Sequence, residues 1–253
     1  PDTDITFPTK ENGEIQPILV EDGTVKLLYK ITVTGNPKAN FTVTDADTTH
    51  AYGTVIDKGN GVYEGTLPET AGQDGKASLE FYVVKTFRNV TDSGKLENSV
   101  TLNDKAPVPT PDDVPYYTPI ELPLSVKKSM TGDTLPHAFN EAFTLYIEGA
   151  EKATGTNITA TTAKITVSNK ENVDFKVGED ALTSLGTVKD VGVYKYTLTE
   201  GTAPAHVTND PRLPITLTYN VTLEKDESTG NYSLTYGNVR YSDSTTKSIY
   251  SSL

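Results

Sequence analysis

The chain has 253 residues and no cysteine, and its 34 acidic residues against 22 basic ones give a formal net charge of −12. These numbers exclude disulfide scaffolds, thiolate zinc sites and cysteine nucleophiles. They also argue against nucleic-acid binding, because a net negative chain does not follow a phosphate backbone. No apolar run approaches the roughly 18–20 residues that a membrane span needs, so we expect no membrane insertion.

The composition favours an extracellular all-β protein. Thr, Val and Tyr are frequent, and these residue types suit pleated, half-buried surfaces. A cysteine-free chain of this kind is typical of Gram-positive cell surfaces, where disulfides are little used. Residues 1–4 are neither basic nor apolar, so we expect no signal peptide there. We therefore expect a mature or trimmed segment. No LPXTG sorting motif is present in the sequence, so we also expect the protein to continue beyond Leu253.

Residues 1–106 predict a first β-sandwich domain. Short segments of alternating apolar and polar residues are separated by turn signals such as Gly35-Asn36-Pro37 and Gly59-Asn60-Gly61, which is the pattern of an antiparallel sandwich. The apolar positions that share strand faces are Val25, Leu27, Tyr29, Ile31 and Val33, then Phe41 and Val43, then Leu79, Phe81 and Val83, and finally Leu96, Val100 and Leu102.

Residues 107–120 predict a stiff, extended linker. Prolines recur through this segment and its flanks, and each one removes a backbone donor and forces its predecessor toward extended geometry. The six prolines are Pro107, Pro109, Pro111, Pro115, Pro119 and Pro123.

Residues 121–253 repeat the alternating pattern and predict a second sandwich. Its clearest segments are residues 143–147, 194–198, 215–223 and 233–241. No window shows helical periodicity of useful length. The sequence thus predicts an all-β fold of two tandem antiparallel immunoglobulin-like β-sandwich domains joined by a Pro-rich linker.

Conventional catalytic and metal sites are not indicated. There is no nucleophile elbow, phosphate loop or dinucleotide-binding glycine motif, so we expect neither turnover catalysis nor a cofactor. His50, His137 and His206 lie beside turn residues and are expected to be exposed loop histidines. Residues 45–47 and 112–113 carry paired aspartates, but nothing resembles a calcium loop, and we expect no metal site.

Two charged residues of the second half lie on inward strand faces. Lys128 continues the face of Val126, and Glu200 continues the face of Leu198. A dry core shifts such a pair toward the neutral forms, in which the amine is a nucleophile and the carboxyl can shuttle protons. With an asparagine carboxamide in reach, the pair meets the requirement for spontaneous Lys–Asn isopeptide formation. The alternative is that both side chains lie at strand ends and extend to water.

The second half resembles the pilin isopeptide-linkage domains of Gram-positive sortase-assembled pili, which are related in architecture to the Cna B-type modules. Residues 124–128, 143–145, 192–200 and 215–223 carry the resemblance. In that family, a Lys of the first strand bonds to an Asn of the last strand with the help of a Glu. The resemblance assigns the first and third of these roles to Lys128 and Glu200.

The asparagine of that family has no counterpart here. Its position is occupied by Ser251, which has no carboxamide. The acyl partner is therefore unknown. Asn220 and Asn238 are the other possible acyl partners. If the bond is absent, Lys128 and Glu200 would form a buried ion pair.

The first half resembles, more weakly, Thr-rich repeat domains of long Gram-positive surface proteins, through residues 25–33, 41–45 and 97–100. The period of two also places three polar residues inward: Lys85 with Val83, Asp45 with Val43, and Asn98 on the face of its apolar neighbours. Lys85 and Asn98 could form an isopeptide bond with Asp45 as the helper. The alternative is that Asn98 bonds to loop backbone and the two charged residues lie at strand ends.

These features predict a structural subunit or stalk of a Gram-positive pilus or adhesin, located at the cell surface or cell wall. Its expected partners are other pilus or surface-protein subunits, and a host extracellular ligand is a further expected partner. We expect a bond between distant strands to remove unfolded-state entropy as a disulfide does and to bear tension. The alternative is a binding module for glycans or host protein that uses tyrosines such as Tyr116 and Tyr117 as stacking surfaces.

Overall fold

The structure is a computed structural model, and it describes residues 4–109, 113–123, 140–152, 161–168, 184–203, 205, 208–209, 211–243 and 249–250. The secondary structure of these residues is all β. None of the described segments contains a helix with the length and apolarity to cross a membrane.

The chain divides into two compact units. The first comprises Pro1–Thr118 with Lys225–Ser233, and the second comprises Pro119–Glu224 with Leu234–Leu253. The strands up to residue 117 are β1 (Ile5–Thr6), β2 (Lys10–Glu11), β3 (Glu14–Ile15), β4 (Ile18–Leu19), β5 (Thr24–Gly35), β6 (Asn40–Thr44), β7 (Thr48–Tyr52), β8 (Ile56–Gly59), β9 (Val62–Thr66), β10 (Ala77–Arg88), β11 (Gly94–Leu96), β12 (Ser99–Leu102), β13 (Val108–Pro109) and β14 (Val114–Tyr117). Those that follow are β15 (Ile120–Pro123), β16 (Asn140–Lys152), β17 (Thr161–Ser168), β18 (Ser184–Val188), β19 (Gly192–Glu200), β20 (Ile215–Lys225), β21 (Tyr232–Tyr236), β22 (Arg240–Asp243) and β23 (Ile249–Tyr250).

The first unit is built on the long antiparallel pair β5–β10. This pair keeps one register from Ala77↔Gly35 to Arg88↔Thr24, so the apolar positions of both strands face the same side. The sheet order is β1-β5-β10-β7. The inward face predicted for β5 is confirmed, because all five of its apolar positions are buried: Val25, Leu27, Tyr29, Ile31 and Val33.

A second sheet, in the order β13-β12-β6-β9-β8, covers this face. Its Phe41 and Tyr63 pack against Phe81 of β10, with ring centroids 6.4 and 5.8 Å apart. Phe81 and Tyr63 are fully buried, and all three aromatic residues belong to one core cluster. The first unit is therefore a β-sandwich whose two sheets meet at an aromatic core.

Two described parts of the Pro-rich segment predicted as a separate linker form strands. β13 pairs with β12, and β14 lies between β11 and β4 in a three-stranded sheet. Val114 and Tyr116 are buried, and the two units divide between Thr118 and Pro119 rather than across residues 107–120. Burial of these apolar residues against the first unit outweighs the proline signal.

The second unit contains a sheet in the order β17-β16-β19-β20-β22-β23, in which β21 also pairs with β20. The predicted inward positions of β19 and β20 are confirmed by the burial of Tyr194, Tyr196, Leu198, Ile215, Leu217, Tyr219 and Val221. The single strand predicted over residues 233–241 is two strands, β21 and β22, which are separated at residues 237–239. A smaller sheet pairs β15 with β18.

Candidate functional site

Lys85 lies near the end of β10, where it is paired with Leu27 of β5. Leu27 is fully buried, and residues paired across an antiparallel ladder face the same side of the sheet. Lys85 consequently points into the sandwich, and only 9% of the residue is exposed. The register between β10 and β7 shifts between Val84 and Lys85, which marks an irregularity in the sheet at the site.

Asp45 directly follows β6, in the sheet opposite Lys85. Its backbone N–H donates to the carbonyl of Gly61 at 2.8 Å, which extends the β6–β9 ladder by one residue. The side chain continues the inward face of Phe41 and Val43, as the period of two predicts, and Asp45 has no exposed surface.

Asn98 lies in the short connection between β11 and β12. The sequence places it within one strand that runs from Leu96 to Leu102, whereas the structure interrupts that strand at Glu97 and Asn98. The inward orientation is nevertheless correct, since Asn98 is only 3% exposed.

The structure brings the three predicted side chains into mutual contact. Lys85 Nζ donates to Asp45 Oδ1 at 3.0 Å and to Asn98 Oδ1 at 2.6 Å. Asn98 Nδ2 donates to the other carboxylate oxygen, Asp45 Oδ2, at 2.9 Å. The amine therefore lies beside the amide carbonyl, while the amide nitrogen lies beside the acid.

The contact between Lys85 and Asp45 pairs two buried charged groups, either of which would be costly to bury alone. Burial raises the pKa of Asp45 above its ordinary value, although hydrogen bonds from Asn98 and Lys85 act in the opposite direction. Moving one proton along the contact between Lys85 and Asp45 gives a neutral amine and a neutral acid with no change in net charge. The site can therefore hold the protonation state that acyl transfer to an amine needs.

Aromatic side chains border the three polar groups. Lys85 Nζ lies 5.8 Å from the centroid of the Phe87 ring, which packs against Tyr29 at 6.3 Å. Burial also raises the pKa of Tyr29, and the nearby carboxylate of Asp45 adds to this effect. The surroundings of the site are apolar, which strengthens each hydrogen bond within it.

Two residues that the sequence does not single out, Thr48 and Tyr63, support Asp45 through its backbone carbonyl. Thr48 Oγ1 donates to the Asp45 carbonyl at 2.7 Å, and the Tyr63 hydroxyl donates to Thr48 Oγ1 at 2.7 Å. Both residues are buried. Their only sequence signal is the Asp45-x-x-Thr48 spacing, which is typical of a side-chain-capped turn.

The candidate site of the second half is only partly described. Lys128 and Ser251 lie outside the described residues. Glu200 ends β19, where it is partly buried and paired with Leu145 of β16. Asn220 and Asn238 are both exposed, so their side chains face away from the inward positions that an acyl partner would need.

The remaining predicted features lie apart from this site. His50 is exposed as expected, but it belongs to β7 rather than to a loop, while His137 and His206 lie outside the described residues. Within the described ranges, no three His, Asp or Glu residues are grouped to hold a metal ion. Tyr116 is 9% exposed and its hydroxyl donates to the Thr91 carbonyl, so it is a core residue rather than a stacking surface.

Comparisons with protein-family models, with curated proteins and with solved structures gave no match to this chain.

Proposed function

We propose that this chain is a structural, load-bearing segment of a Gram-positive surface protein, a pilus subunit or an adhesin stalk, built from immunoglobulin-like sandwiches. The observation that carries the proposal is the buried contact of Lys85, Asp45 and Asn98. Its partners in this proposal are other subunits of the fibre or surface protein. The covalent feature of the segment is an isopeptide bond from Lys85 to Asn98, with Asp45 as the proton carrier.

The reaction is a transamidation without any oxidant or cofactor. Asp45 takes a proton from Lys85, and the free electron pair of Nζ attacks Cγ of Asn98. Asp45 then returns this proton to Nδ2, the Cγ–Nδ2 bond breaks, and one ammonia is released. The second proton lost from Nζ passes through Asp45 to the departing ammonia, which leaves as ammonium. The product is a secondary amide between the two side chains, and Asp45 ends in the protonation state in which it began.

The positions of the donors support each step. Oδ1 of Asp45 faces the attacking amine and Oδ2 faces the leaving nitrogen, so one carboxyl can act first as base and then as acid. Reactant groups held in contact inside a folded core also avoid the entropic cost of encounter. The bond would join β10 of one sheet to the segment preceding β12 of the other, so that these two segments cannot separate without breaking a covalent bond.

Intact mass spectrometry of the purified chain tests the proposal. A mass lower than calculated by one ammonia is expected for the wild type, and the full calculated mass for Asn98→Ala and Asp45→Ala. Asp74→Ala is the matched control, because Asp74 is an exposed aspartate in the turn before β10, where it accepts a hydrogen bond from the Lys76 N–H, and its removal should leave the loss of ammonia intact. Full mass in the wild type would overturn the proposed bond.

Tryptic mapping assigns the bond to its two residues. Trypsin cleaves after Lys76, Arg88, Lys95 and Lys105 but not after an acylated lysine. The expected product is therefore fragment 77–88 joined to fragment 96–105, with Lys85 uncleaved inside it. A second loss of ammonia that maps elsewhere would instead reveal a bond in the second half.

A glycan-binding role is the second candidate, and one surface favours it. Tyr52 and Tyr82 lie opposite each other on β7 and β10, and each is 41% exposed. His50 packs edge-on against Tyr52 at 4.5 Å. Sugar rings stack on surfaces of this kind, so reproducible binding on a glycan array that Tyr52→Ala and Tyr82→Ala abolish would support the binding role.

A further inference from the structure

We infer that Thr48, supported by Tyr63, is the positioning residue that holds the Asp45 carboxyl between Lys85 and Asn98. This inference rests on the proposed isopeptide bond and extends it from the reacting groups to the residues that place them. It concerns the turn between β6 and β7, which contains Asp45.

Both backbone polar groups of Asp45 are fixed by hydrogen bonds. Its N–H donates to the Gly61 carbonyl at 2.8 Å, and its carbonyl accepts from Thr48 Oγ1 at 2.7 Å. The turn continues through Asp47, which has a left-handed backbone with φ of 60°, and the Asp47 carbonyl accepts from the N–H of Thr86 at 3.0 Å. The backbone that carries the reacting carboxyl is thus tied to β9 and to β10.

The two hydrogen bonds made by the hydroxyls of Tyr63 and Thr48 run in one direction, from Tyr63 to Thr48 and from Thr48 to the Asp45 carbonyl. The single proton of the Thr48 hydroxyl is donated to Asp45, so the Tyr63 hydroxyl must act as donor to Thr48. Tyr63 is fully buried, and burial raises the pKa of its hydroxyl, so the donor keeps its proton. Hydrogen bonds arranged in such a chain strengthen one another in an apolar interior.

Gly61 allows the close approach on which this arrangement depends. A Cβ at position 61 would collide with the Asp45 carbonyl oxygen and would also come within 3.1 Å of Thr48 Oγ1. Gly61 itself has φ of +74°, which glycine adopts without strain. The turn therefore fits directly against β9, and the carboxyl of Asp45 has little freedom to shift.

Placement of this accuracy affects the rate, because a displacement of about 1 Å can slow an intramolecular reaction about 100-fold. Thr48→Val removes the hydroxyl with little change in shape, whereas Thr48→Ser retains it. Tyr116→Phe is the control: Tyr116 is also buried, and its hydroxyl likewise donates to a backbone carbonyl, that of Thr91, which takes no part in holding Asp45.

The test measures ammonia loss over time by intact mass on chains freshly made by cell-free synthesis, with circular dichroism to confirm folding. Wild type, Tyr116→Phe and Thr48→Ser should form the bond at similar rates, and Thr48→Val about 100-fold more slowly. In Thr48→Val, the apparent pKa in the pH profile of the rate should also fall. The reason is that burial raises the pKa of Asp45, and a displaced carboxyl regains contact with water. A merely structural role would not produce this shift or the rescue by serine.

If Thr48→Val does not fold, Tyr63→Phe provides the second variant, and it should slow the reaction in the same direction by a smaller factor. Equal rates in wild type, Thr48→Val and Tyr63→Phe would overturn the positioning role while leaving the bond itself established. Absence of ammonia loss from the wild type would instead overturn the proposed function.

Discussion

Replacing Lys85 by methionine should destabilise the first unit strongly and make its stability depend on pH. The variant cannot form the cross-link, and it leaves the fully buried Asp45 without a cation. The bond would join residues 13 positions apart, close to the 15-residue loop for which ring closure contributes about 3 kcal/mol. Relative to Asn98→Ala, in which the bond is also absent but Lys85 remains a cation, the variant leaves a buried charge without its partner, which costs roughly 3–5 kcal/mol.

The direction of the pH effect follows from the pKa of Asp45. Burial already raises this pKa, and the variant loses two interactions with Lys85 that lower it. Above the ordinary value of 3.8, the folded variant therefore retains a proton that the unfolded chain has released. The stability of the variant should be highest below that pH and should fall by up to about 1.4 kcal/mol per pH unit as pH rises toward the folded-state pKa.

Urea unfolding at several pH values between 4 and 7 measures this effect. Lys30→Met is the matched control, because Lys30 contacts Glu80 at the same 3.0 Å but both side chains are about half exposed. The control should change stability only slightly, as exposed pairs do. Adding Asp45→Asn to Lys85→Met should remove the pH dependence. Equal losses in the Lys85 and Lys30 variants, or a pH profile unchanged from that of Asn98→Ala, would refute the reasoning.

Three further outcomes are expected. Single-molecule stretching should give the wild type a contour length roughly 40 Å shorter than that of Asn98→Ala, because the bond bypasses the enclosed residues. Gly61→Ala should lower the melting temperature and prevent ammonia loss. Gly59 has a similar positive φ but open space around it, so Gly59→Ala should lower the melting temperature only through backbone strain and should leave ammonia loss intact. Asp226 accepts hydrogen bonds within its turn that lower its pKa to about 2. An NMR titration should show this value, and the stability that this turn contributes should persist above pH 3.8 and be lost as pH falls through 2.

The period of two was sufficient to predict which three polar residues of the candidate site face inward. Lys85, Asp45 and Asn98 each share a strand face with apolar residues, and a polar residue on such a face must find a partner in the core. That argument identifies which residues are inward but not which of them meet. Their contact depends on how the two sheets align, which alternation within a single strand does not specify.

The Pro-rich segment shows where local signals fail. Proline disfavours a central strand because it lacks a donor, yet Pro115 lies in β14 between two neighbouring strands. The flanking Val114 and Tyr116 are buried, and their burial is a tertiary effect that proline counting does not register. Thr48 and Tyr63 were missed for a related reason, because in a chain so rich in these residue types a single hydroxyl pair has no distinguishing pattern.

The position of the proposed bond determines which part of the first unit it would hold under tension. Lys85 and Asn98 are only 13 positions apart in the chain, so the ring that the bond would close is small. A ring of this size stabilises by about 3 kcal/mol through unfolded-state entropy, against about 4.7 kcal/mol for a 100-residue ring. The larger consequence is local: the ring encloses β11, which pairs with β14, the last strand of this unit before the chain passes to the second. Tension entering through β14 would therefore act on a strand whose neighbour is covalently held, and the residues before Lys85 would remain free to extend once their hydrogen bonds fail.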